Sequence, residues 1–296
     1  MPYIPFTDEQ KQRANSVDLV EFLRRRGERL LPSGRDKRLD SDHSVTIRGC
    51  EWFDHAVPVG GRAISFVQRQ YGLSYQEAVK LLLNGEDGAG YPTANEEENL
   101  SPSPFVLPPR NQYMRRLFAY LMERRGIDRS IIQHFAHART IYEEANHHNS
   151  VFVGLDEHGV ARHAHMRCTN FKGRSFRINV ESSLPQYSFH HAGPGKNLFV
   201  FESPIDLLSY ICLHPEDWQS QSYVALCGTS GQAMLWMLEQ NPDIQSVYLA
   251  LDNDKTGQAS TERLTKELRR RSYASTVLAP QHKDWNDDLL ACRNQK

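Results

Sequence analysis

Three acidic clusters follow one another in the last third of the chain, and together they could bind a divalent cation. Residues 202–206 (ESPID) and 252–254 (DND) each come directly after an apolar run, and residues 284–287 (DWND) follow later. Such runs are typical of buried parallel strands, and functional groups in open α/β sheets collect beyond the carboxyl ends of their strands. Carboxylates that converge repel one another unless a hard cation neutralises them. The pattern therefore predicts Mg²⁺ or Mn²⁺ and chemistry on phosphates.

Each acidic cluster taken alone also has a purely structural explanation. Aspartate favours turns and helix N-caps, so residues 252–254 could simply begin the helix that residues 258–271 predict. Glu202 could likewise be a first-turn acid that is stabilised by a helix dipole. The occurrence of all three clusters in this order favours the cation site.

The clusters and their surroundings resemble the toprim domain of bacterial primases, topoisomerases and some nucleases, over about residues 197–290. The resemblance rests on the acids, on residues 225–230 (ALCGTS) between them and on residues 255–257 (KTG) after them. It implies that the triphosphate of a nucleotide is neutralised by Lys255 and Lys283. It departs at Asn286, where primases carry a second aspartate. The implied catalytic residues are Glu202, Asp206, Asp252 and Asp254, and the implied metal ligands are these four and Asp284.

Composition limits the class of protein without identifying it. The chain has 296 residues, 39% of them hydrophobic, and a formal net charge of −1. It can therefore form a substantial core, and contacts with nucleic acid must come from local basic patches. Its five scattered cysteines are typical of a reducing cytoplasm. Since the sequence begins with no signal peptide and has no membrane-length apolar run, we expect a cytoplasmic protein.

The N-terminal region resembles the zinc-ribbon domain of bacterial primases in its residues 60–67 (GGRAISFV) and 73–79 (LSYQEAV). We expect a helix over residues 8–30, strands at 44–47 and 50–53, and helical residues 63–83 broken at Gly72.

The resemblance does not extend to the metal ligands. A zinc ribbon needs four ligands, and only His43, Cys50 and His55 lie nearby. The sequence thus predicts a degenerate ribbon without zinc, which packs around Trp52 and Phe53. Its retained role would be contact with single-stranded DNA, although each charge alone is also typical of a solvated face. The expected DNA contacts are Arg35, Lys37, Arg38, Arg48 and Trp52.

Residues 85–110 are rich in Gly, Pro and Ser and predict a linker. Beyond it we expect helices over 113–125 and 128–135, split at Gly126, and a hairpin of strands 150–155 and 161–168. This segment resembles the start of a primase catalytic core. Its cations predict a groove for phosphates, with Arg162 and Arg167 on a nucleotide and Lys172, Arg174 and Arg177 on DNA. A metal site at His147, His148, His163 and His165 is an alternative explanation.

Together these features predict an α/β fold, α+β overall. We expect a degenerate zinc-ribbon-like domain (1–84), a linker (85–110), a basic primase-core-like subdomain (111–196) and a toprim domain (197–296) with a central parallel sheet flanked by helices. The resemblance implies a DNA primase-type nucleotidyltransferase that serves replication or transfer of a mobile genetic element. Its partners would be single-stranded DNA, nucleoside triphosphates and a helicase or relaxase in a separate chain, without a membrane. A toprim nuclease and a non-catalytic DNA-binding adaptor remain the alternatives.

Overall fold

The computed structural model describes residues 6–57, 59–84, 90–94, 104–170, 176–228 and 230–294. The chain divides into two compact units, Met1–Ser103 and Pro104–Lys296. In these described ranges, no helix combines the length and apolar character that crossing a bilayer requires.

The first unit wraps helices around a five-stranded antiparallel meander whose strands pair in chain order. Its core contains Phe22, Trp52, Phe66 and Val67. The elements are α1 (Asp8–Asn15), α2 (Leu19–Arg25), β1 (Leu30–Ser33), β2 (Asp36–Leu39), β3 (Val45–Arg48), β4 (Glu51–Asp54), β5 (Val59–Arg62), α3 (Ala63–Tyr71) and α4 (Tyr75–Asn84).

Helix boundaries in this unit follow local capping chemistry. The single helix predicted over residues 8–30 is wrong, because the Asp18 side chain accepts the Glu21 amide (3.0 Å) and starts α2 separately. The predicted break at Gly72 is confirmed, since this residue ends α3 with a left-handed φ of 65°. Ser74 and Glu77 then form the predicted capping box, in which the Ser74 amide donates to the Glu77 carboxylate at 2.9 Å.

The second unit begins with a short helix, a π turn and a second helix, followed by an antiparallel sheet in chain order. The helix predicted over 113–125 is shorter than expected, because its second half winds as the π turn Tyr120–Arg124. The predicted split at Gly126 is confirmed by its φ of 67°. The elements are α5 (Arg115–Ala119), α6 (Arg129–His137), β6 (Ile141–Glu143), β7 (Ser150–Leu155), β8 (Ala161–Arg167) and β9 (Arg177–Asn179).

A second sheet completes this unit, in the strand order β10-β12-β11-β13-β14. Strand β10 is antiparallel to its neighbour, and the other pairings are parallel. The elements are β10 (His190–His191), β11 (Asn197–Phe201), α7 (Pro204–Leu213), β12 (Ser222–Ala225), α8 (Gln232–Gln240), β13 (Ser246–Leu249), α9 (Lys255–Arg270), β14 (Ala274–Val277) and α10 (Trp285–Asn294).

Alternating side chains bury both faces of this parallel sheet. Leu198 and Val200 of β11 pack with α8 and α9, whereas Phe201 packs with α7 and α10. This accounts for the continuous apolar runs in the sequence, since a strand that is covered on both faces has no polar side. The α/β fold class with a central parallel sheet is confirmed, and the ends of β12, β11 and β13 lie side by side.

Candidate active site

The acids that follow β11 and β13 lie next to each other because these two strands are direct neighbours. Val200 pairs with Leu249 in the parallel register, so Glu202 and Asp252 leave the sheet at the same edge. The turn after β12 joins them, since the Cys227 amide donates to the Glu202 carbonyl at 3.0 Å. Chain segments some 50 residues apart thus meet at one place, as the sequence pattern predicts.

Three helices begin at this edge. The Ser203 side chain caps α7, Asp254 accepts the Thr256 and Gly257 amides at the start of α9, and Asp284 accepts the Asp287 amide at the start of α10. Helix N-termini carry partial positive charge and favour anions, phosphates included. The capping role that the sequence suggested for residues 252–254 is therefore present at Asp254, at the acidic edge itself.

A glycine lets α9 approach the acidic edge closely. A Cβ atom on Gly257 would lie 2.0 Å from the Asp252 carbonyl oxygen, far inside van der Waals contact. The resemblance had already singled out this glycine in residues 255–257, and its position explains why a side chain is absent there.

Asp206 lies behind this edge, and both of its carboxylate oxygens are occupied. The Ser203 hydroxyl donates to Oδ2 at 2.5 Å, and the Asn286 backbone amide donates to Oδ1 at 3.3 Å. The residue is only 5% exposed. These contacts fix the orientation of the Asp206 carboxylate between α7 and α10, and its implied role as a metal ligand stays a prediction.

Asp252 is the acid at this edge whose negative charge is least compensated by hydrogen bonds or ion pairs. Its Oδ1 is buried and has no hydrogen-bond partner among the described residues. Burial and the charges of Asp206 and Glu202 raise the pKa of Asp252 to about 8. Burial also raises the pKa of Asp206 to about 6. Burial raises the pKa of Glu202 against the opposing charge of Arg177. A cation at this edge would relieve these unfavourable charges.

Mg²⁺ or Mn²⁺ fits this donor set chemically, because hard cations take carboxylate oxygens and Asp252 offers one that is unused. A closed ligand shell is not formed, since no three His, Cys, Asp or Glu side chains of the described ranges are arranged to hold a metal ion. Glu202 contacts Arg177 instead, and Asp254 and Asp284 each use an oxygen for capping. The residues that would hold the cation are Glu202, Asp252 and Asp254, with Asp284 beside them.

Strand β9 brings a cation and an amide to the edge. Arg177 lies 3.5 Å from the Glu202 carboxylate. Two residues along the same strand, the Asn179 Oδ1 accepts from the His165 ring Nδ1 at 2.7 Å, and the Asn179 Nδ2 donates to the Cys227 carbonyl at 3.0 Å. Cys227 has a positive φ of 52°, so this bond stabilises a strained turn. Neither role of Asn179 could be predicted, because its partners are distant in sequence.

The predicted cations of this unit do not all reach the site. Arg167 pairs with Arg177 across β8 and β9, which places it at the same end of the sheet. Arg162 is bound to Asp156 at 2.8 Å near the opposite end of β8, and its contact with a nucleotide stays a prediction. Lys283 is close enough to lower the pKa of Glu202. Lys255 is the exposed first residue of α9, and Lys172 and Arg174 lie outside the described residues.

The histidines of β8 share one face with Arg167, as strand alternation predicts, but this face is buried. His163 is fully buried, and neither ring nitrogen has a partner among the described residues. Burial lowers the pKa of His163 to about 3 and that of His165 to about 4. Both are therefore neutral side chains of the interior. The phosphate groove predicted from the cations of this segment stays a prediction. His148 is bonded to the buried Glu143 at 2.6 Å.

Asn286 does not present its side chain as a metal ligand. Its Nδ2 donates to the Arg125 carbonyl (2.7 Å) and to the Ser209 hydroxyl oxygen (2.9 Å), and its Oδ1 accepts from the Arg125 guanidinium (3.0 Å). The residue is 2% exposed. The polar atoms of the side chain at which the resemblance departs are therefore engaged with Arg125 and Ser209.

In the first unit, a shallow groove of about 530 Å³ is lined by two of the candidate DNA contacts, Arg48 and Trp52, together with Phe53 and Gly60. Trp52 is buried and donates to Ser65 at 3.0 Å, so a stacking role for its ring is wrong. Phe53, on the opposite face of β4, is 39% exposed. The expectation that both rings fill the core is thus confirmed for Trp52 alone.

The remaining basic residues of this unit differ in their contacts and in their exposure to solvent. Arg48 is bound to Asp36 at 2.6 Å, and burial lowers the pKa of Arg38. Arg35 and Lys37 lie on the exposed surface around the β1–β2 turn. Among the candidate zinc ligands, His55 contacts the Thr46 hydroxyl at 2.9 Å, and His43 lies 3.6 Å from Asp40.

Comparisons with known proteins agree with this architecture. Residues 199–289 match the family model described as Toprim-like. Residues 119–196 match a second model, described as a protein of unknown function, DUF3991. The chain is 27% identical over 318 residues to a Bacillus anthracis protein described as uncharacterized protein pXO2-78, covering 98% of this chain and 92% of the relative.

Solved structures with similar folds include primases. The primase fragment of the bacteriophage T7 primase-helicase is 15% identical, with a TM-score of 0.48 over 86% of this chain and 91% of that one. The Aquifex aeolicus primase is 14% identical, with a TM-score of 0.41 over 98% and 85%. The RNA polymerase domain of Mycobacterium tuberculosis primase is 14% identical, with a TM-score of 0.44 over 61% and 74%.

The parallel sheet, with acids beyond its neighbouring strands, is thus a toprim-like domain. The prediction of a toprim domain is confirmed by the family match. The segment that packs against it belongs to a different family model and contributes Arg177 and Asn179 to its edge.

Proposed function

We propose that this chain is a DNA primase-type nucleotidyltransferase that makes short oligonucleotides on single-stranded DNA with a divalent metal. The observation that carries the proposal is the uncompensated Asp252, which lies beside Glu202 where three helices begin. An edge of this kind suits a reaction in which negative charge on a phosphoryl group must be stabilised. The family match of residues 199–289 supports the same chemistry.

Each residue at the acidic edge would have its own role in this reaction. Bound Mg²⁺ or Mn²⁺, held by Glu202, Asp252 and Asp254, would supply charge stabilisation for the attacking and leaving oxygens. Lys283 and Arg177 lie near Glu202 and can neutralise phosphate oxygens. Asp206 holds the start of α7. As the alternative to holding the ion, the Glu202 carboxylate can act as the general base that accepts the proton of the attacking hydroxyl.

The partners follow from this assignment. The template would be single-stranded DNA, contacted by the first unit at Phe53 and the neighbouring cations, and the substrates would be nucleoside triphosphates. We assign the activity to replication or transfer of a mobile element in the cytoplasm, with a helicase or relaxase in a separate chain. Residues 111–196 and 197–296 would act together as the catalytic region.

A synthesis assay tests the proposal. Purified protein is incubated with single-stranded DNA, labelled nucleotides and Mn²⁺ or Mg²⁺, beside Asp252→Asn and a matched control, Asp243→Asn, at an exposed position of the same domain. Short labelled products from the wild type and from Asp243→Asn, but not from Asp252→Asn, would support it. Degradation of the DNA would instead indicate a toprim nuclease. Binding without synthesis or degradation would indicate an adaptor.

A further inference from the structure

The third acidic cluster contains a hydrogen-bonded link that the proposed reaction does not itself explain. Asn286 uses both polar atoms of its carboxamide on Arg125 and Ser209, and its backbone amide on Asp206. Ser209 in turn donates its only hydroxyl hydrogen to the Ile205 carbonyl at 2.8 Å. The Ser209 oxygen can therefore only accept from Asn286.

A carboxylate at position 286 could not make these contacts. It has no hydrogen to donate, so one of its oxygens would face the Arg125 carbonyl oxygen at about the present 2.7 Å. It would also face the Ser209 oxygen, which is already committed as an acceptor. The position therefore requires a carboxamide, although a carboxylate would add a negative ligand to the cluster.

The far end of the link is fixed by the π turn. Arg125 follows the turn Tyr120–Arg124, and its Nε donates to the Tyr120 hydroxyl at 2.9 Å. Its guanidinium also lies 5.3 Å from the centre of that ring. Single π turns inside helices occur frequently at functional sites. Here the turn places the carbonyl and the guanidinium of one residue against Asn286.

We infer that Asn286 is a positioning residue, through which Arg125 holds the start of α10 and the Asp206 carboxylate in place. The inference rests on the proposed function in one respect, namely that Asp206 supports the acids that bind the cation. The segment of residues 119–196, which matches the family model of unknown function, would thus be joined to the acidic edge directly by hydrogen bonds from Arg125. Arg125 and Asn286 are 161 residues apart and form two hydrogen bonds with each other, and Asn286 forms a third with Ser209.

The first test is the Mn²⁺ dissociation constant of the folded protein without nucleotides. Asn286→Asp should weaken binding by roughly 10-fold, the effect typical of losing an outer-shell partner, despite the added carboxylate. The matched control is Asn241→Asp, which changes a carboxamide that donates to a backbone carbonyl of α8, and it should leave the constant unchanged. Tighter Mn²⁺ binding by Asn286→Asp would overturn the inference, because Asn286 would then occupy a ligand position. An unchanged constant in a folded variant would overturn it as well.

A second measurement does not depend on metal. Amide hydrogen exchange over residues 205–208 and 284–288 should quicken in Arg125→Met and Asn286→Leu, while the same amides in Asn241→Asp keep their rates. Unchanged exchange in both variants would refute the inference even if the wild type binds Mn²⁺. A wild type that binds no Mn²⁺ would count against the proposed function alone, since the exchange rates still decide the positioning role. Arg125→Met retains the Arg125 carbonyl, so it serves if Asn286→Asp does not fold.

Discussion

The Arg177 guanidinium lies 3.5 Å from the Glu202 carboxylate, with the two side chains 57% and 18% exposed. Arg177 comes from the segment of unknown function, and Glu202 directly follows the central strand of the toprim-like domain. The pair therefore connects two family segments at the acidic edge. A divalent cation held by Glu202, as we propose, would compete with Arg177 for the same carboxylate.

Removal of this competition should be measurable. Arg177→Ala should tighten Mn²⁺ binding by about 2- to 5-fold, because a partly exposed ion pair contributes up to about 1 kcal/mol. It should also weaken binding of single-stranded DNA, since one phosphate contact is lost. Titration calorimetry checks both, and Arg177→Lys, which keeps the charge, should stay close to the wild type. Equal Mn²⁺ affinity of the Ala and Lys variants would contradict competition for Glu202.

Metal binding should depend strongly on pH because of Asp252. Its pKa is raised to about 8, so at lower pH a proton must leave before a cation can bind. The Mn²⁺ affinity of the wild type should therefore rise between pH 6 and pH 8 and level off above. Asp252→Asn should bind roughly 10-fold more weakly or worse and lack this rise. A wild-type affinity that is flat over this range would contradict the assignment of Asp252.

The Asp252 carboxyl should lower the stability of the folded protein as pH rises, although the same rise in pH favours metal binding. Because its folded pKa lies above the unfolded value of 3.8, the folded state retains a proton that the unfolded chain has released between pH 4 and pH 8. The contribution of Asp252 to the free energy of unfolding therefore falls as pH rises through this window. Urea unfolding in EDTA should show a steeper fall for the wild type than for Asp252→Asn. Parallel curves for the two proteins would exclude this effect.

The buried histidine should make the second unit acid-sensitive. The folded pKa of His163, about 3, lies below its ordinary value of 6.5, so its stabilising contribution is complete above pH 6.5 and is lost as pH falls. A pKa that differs by one between the folded and unfolded chain corresponds to about 1.4 kcal/mol, so the loss by pH 4 is up to about 3 kcal/mol. His163→Leu should reduce this loss and remain at least as stable at pH 7. The exposed His158→Leu is the control, and an identical acid profile for all three proteins would refute the prediction.

Phe53 should be the side chain of the first unit on which a base of single-stranded DNA stacks. Phe53→Ala should weaken binding of single-stranded DNA by about 1 kcal/mol or more, since one stacked base contributes roughly 1–3 kcal/mol. Gly60 makes this ring accessible, because a Cβ there would come within 2.8 Å of it. The control is Val59→Ala, which trims a neighbouring exposed apolar side chain. Fluorescence anisotropy with a labelled oligonucleotide checks the difference, and equal affinities of Phe53→Ala and wild type would remove the stacking role.

The parts of the fold that could be predicted are those with strong local signals. Runs such as residues 197–201 predict buried strands, and Gly72 and Gly126 predict helix ends because left-handed backbone favours glycine. The four-residue strands β1 (LLPS) and β2 (DKRL) have no such signal, since they depend on pairing with their neighbours. Strand alternation does require Trp52 and Phe53 to face opposite ways, and this was the available clue that only one of them fills the core.

The candidate site likewise contains residues that the sequence predicts and residues that it does not. Glu202 and Asp252 could be predicted because each follows an apolar strand. The roles of Asn286, Arg125 and Asn179 could not, since their contacts cross 161 and 48 residues of sequence. The register between β8 and β9 that aligns Arg167 with Arg177 likewise appears only when the sheet is formed.

Strand β9 has only three residues, yet two of them bond to turns of the toprim-like domain, at Glu202 and at the Cys227 carbonyl. Recombination between relatives at the junction of the two family segments, between residues 196 and 199, would separate these partners. A toprim-like segment transplanted without its companion would leave the strained Cys227 turn without its amide donor. We therefore expect the two segments to be inherited together.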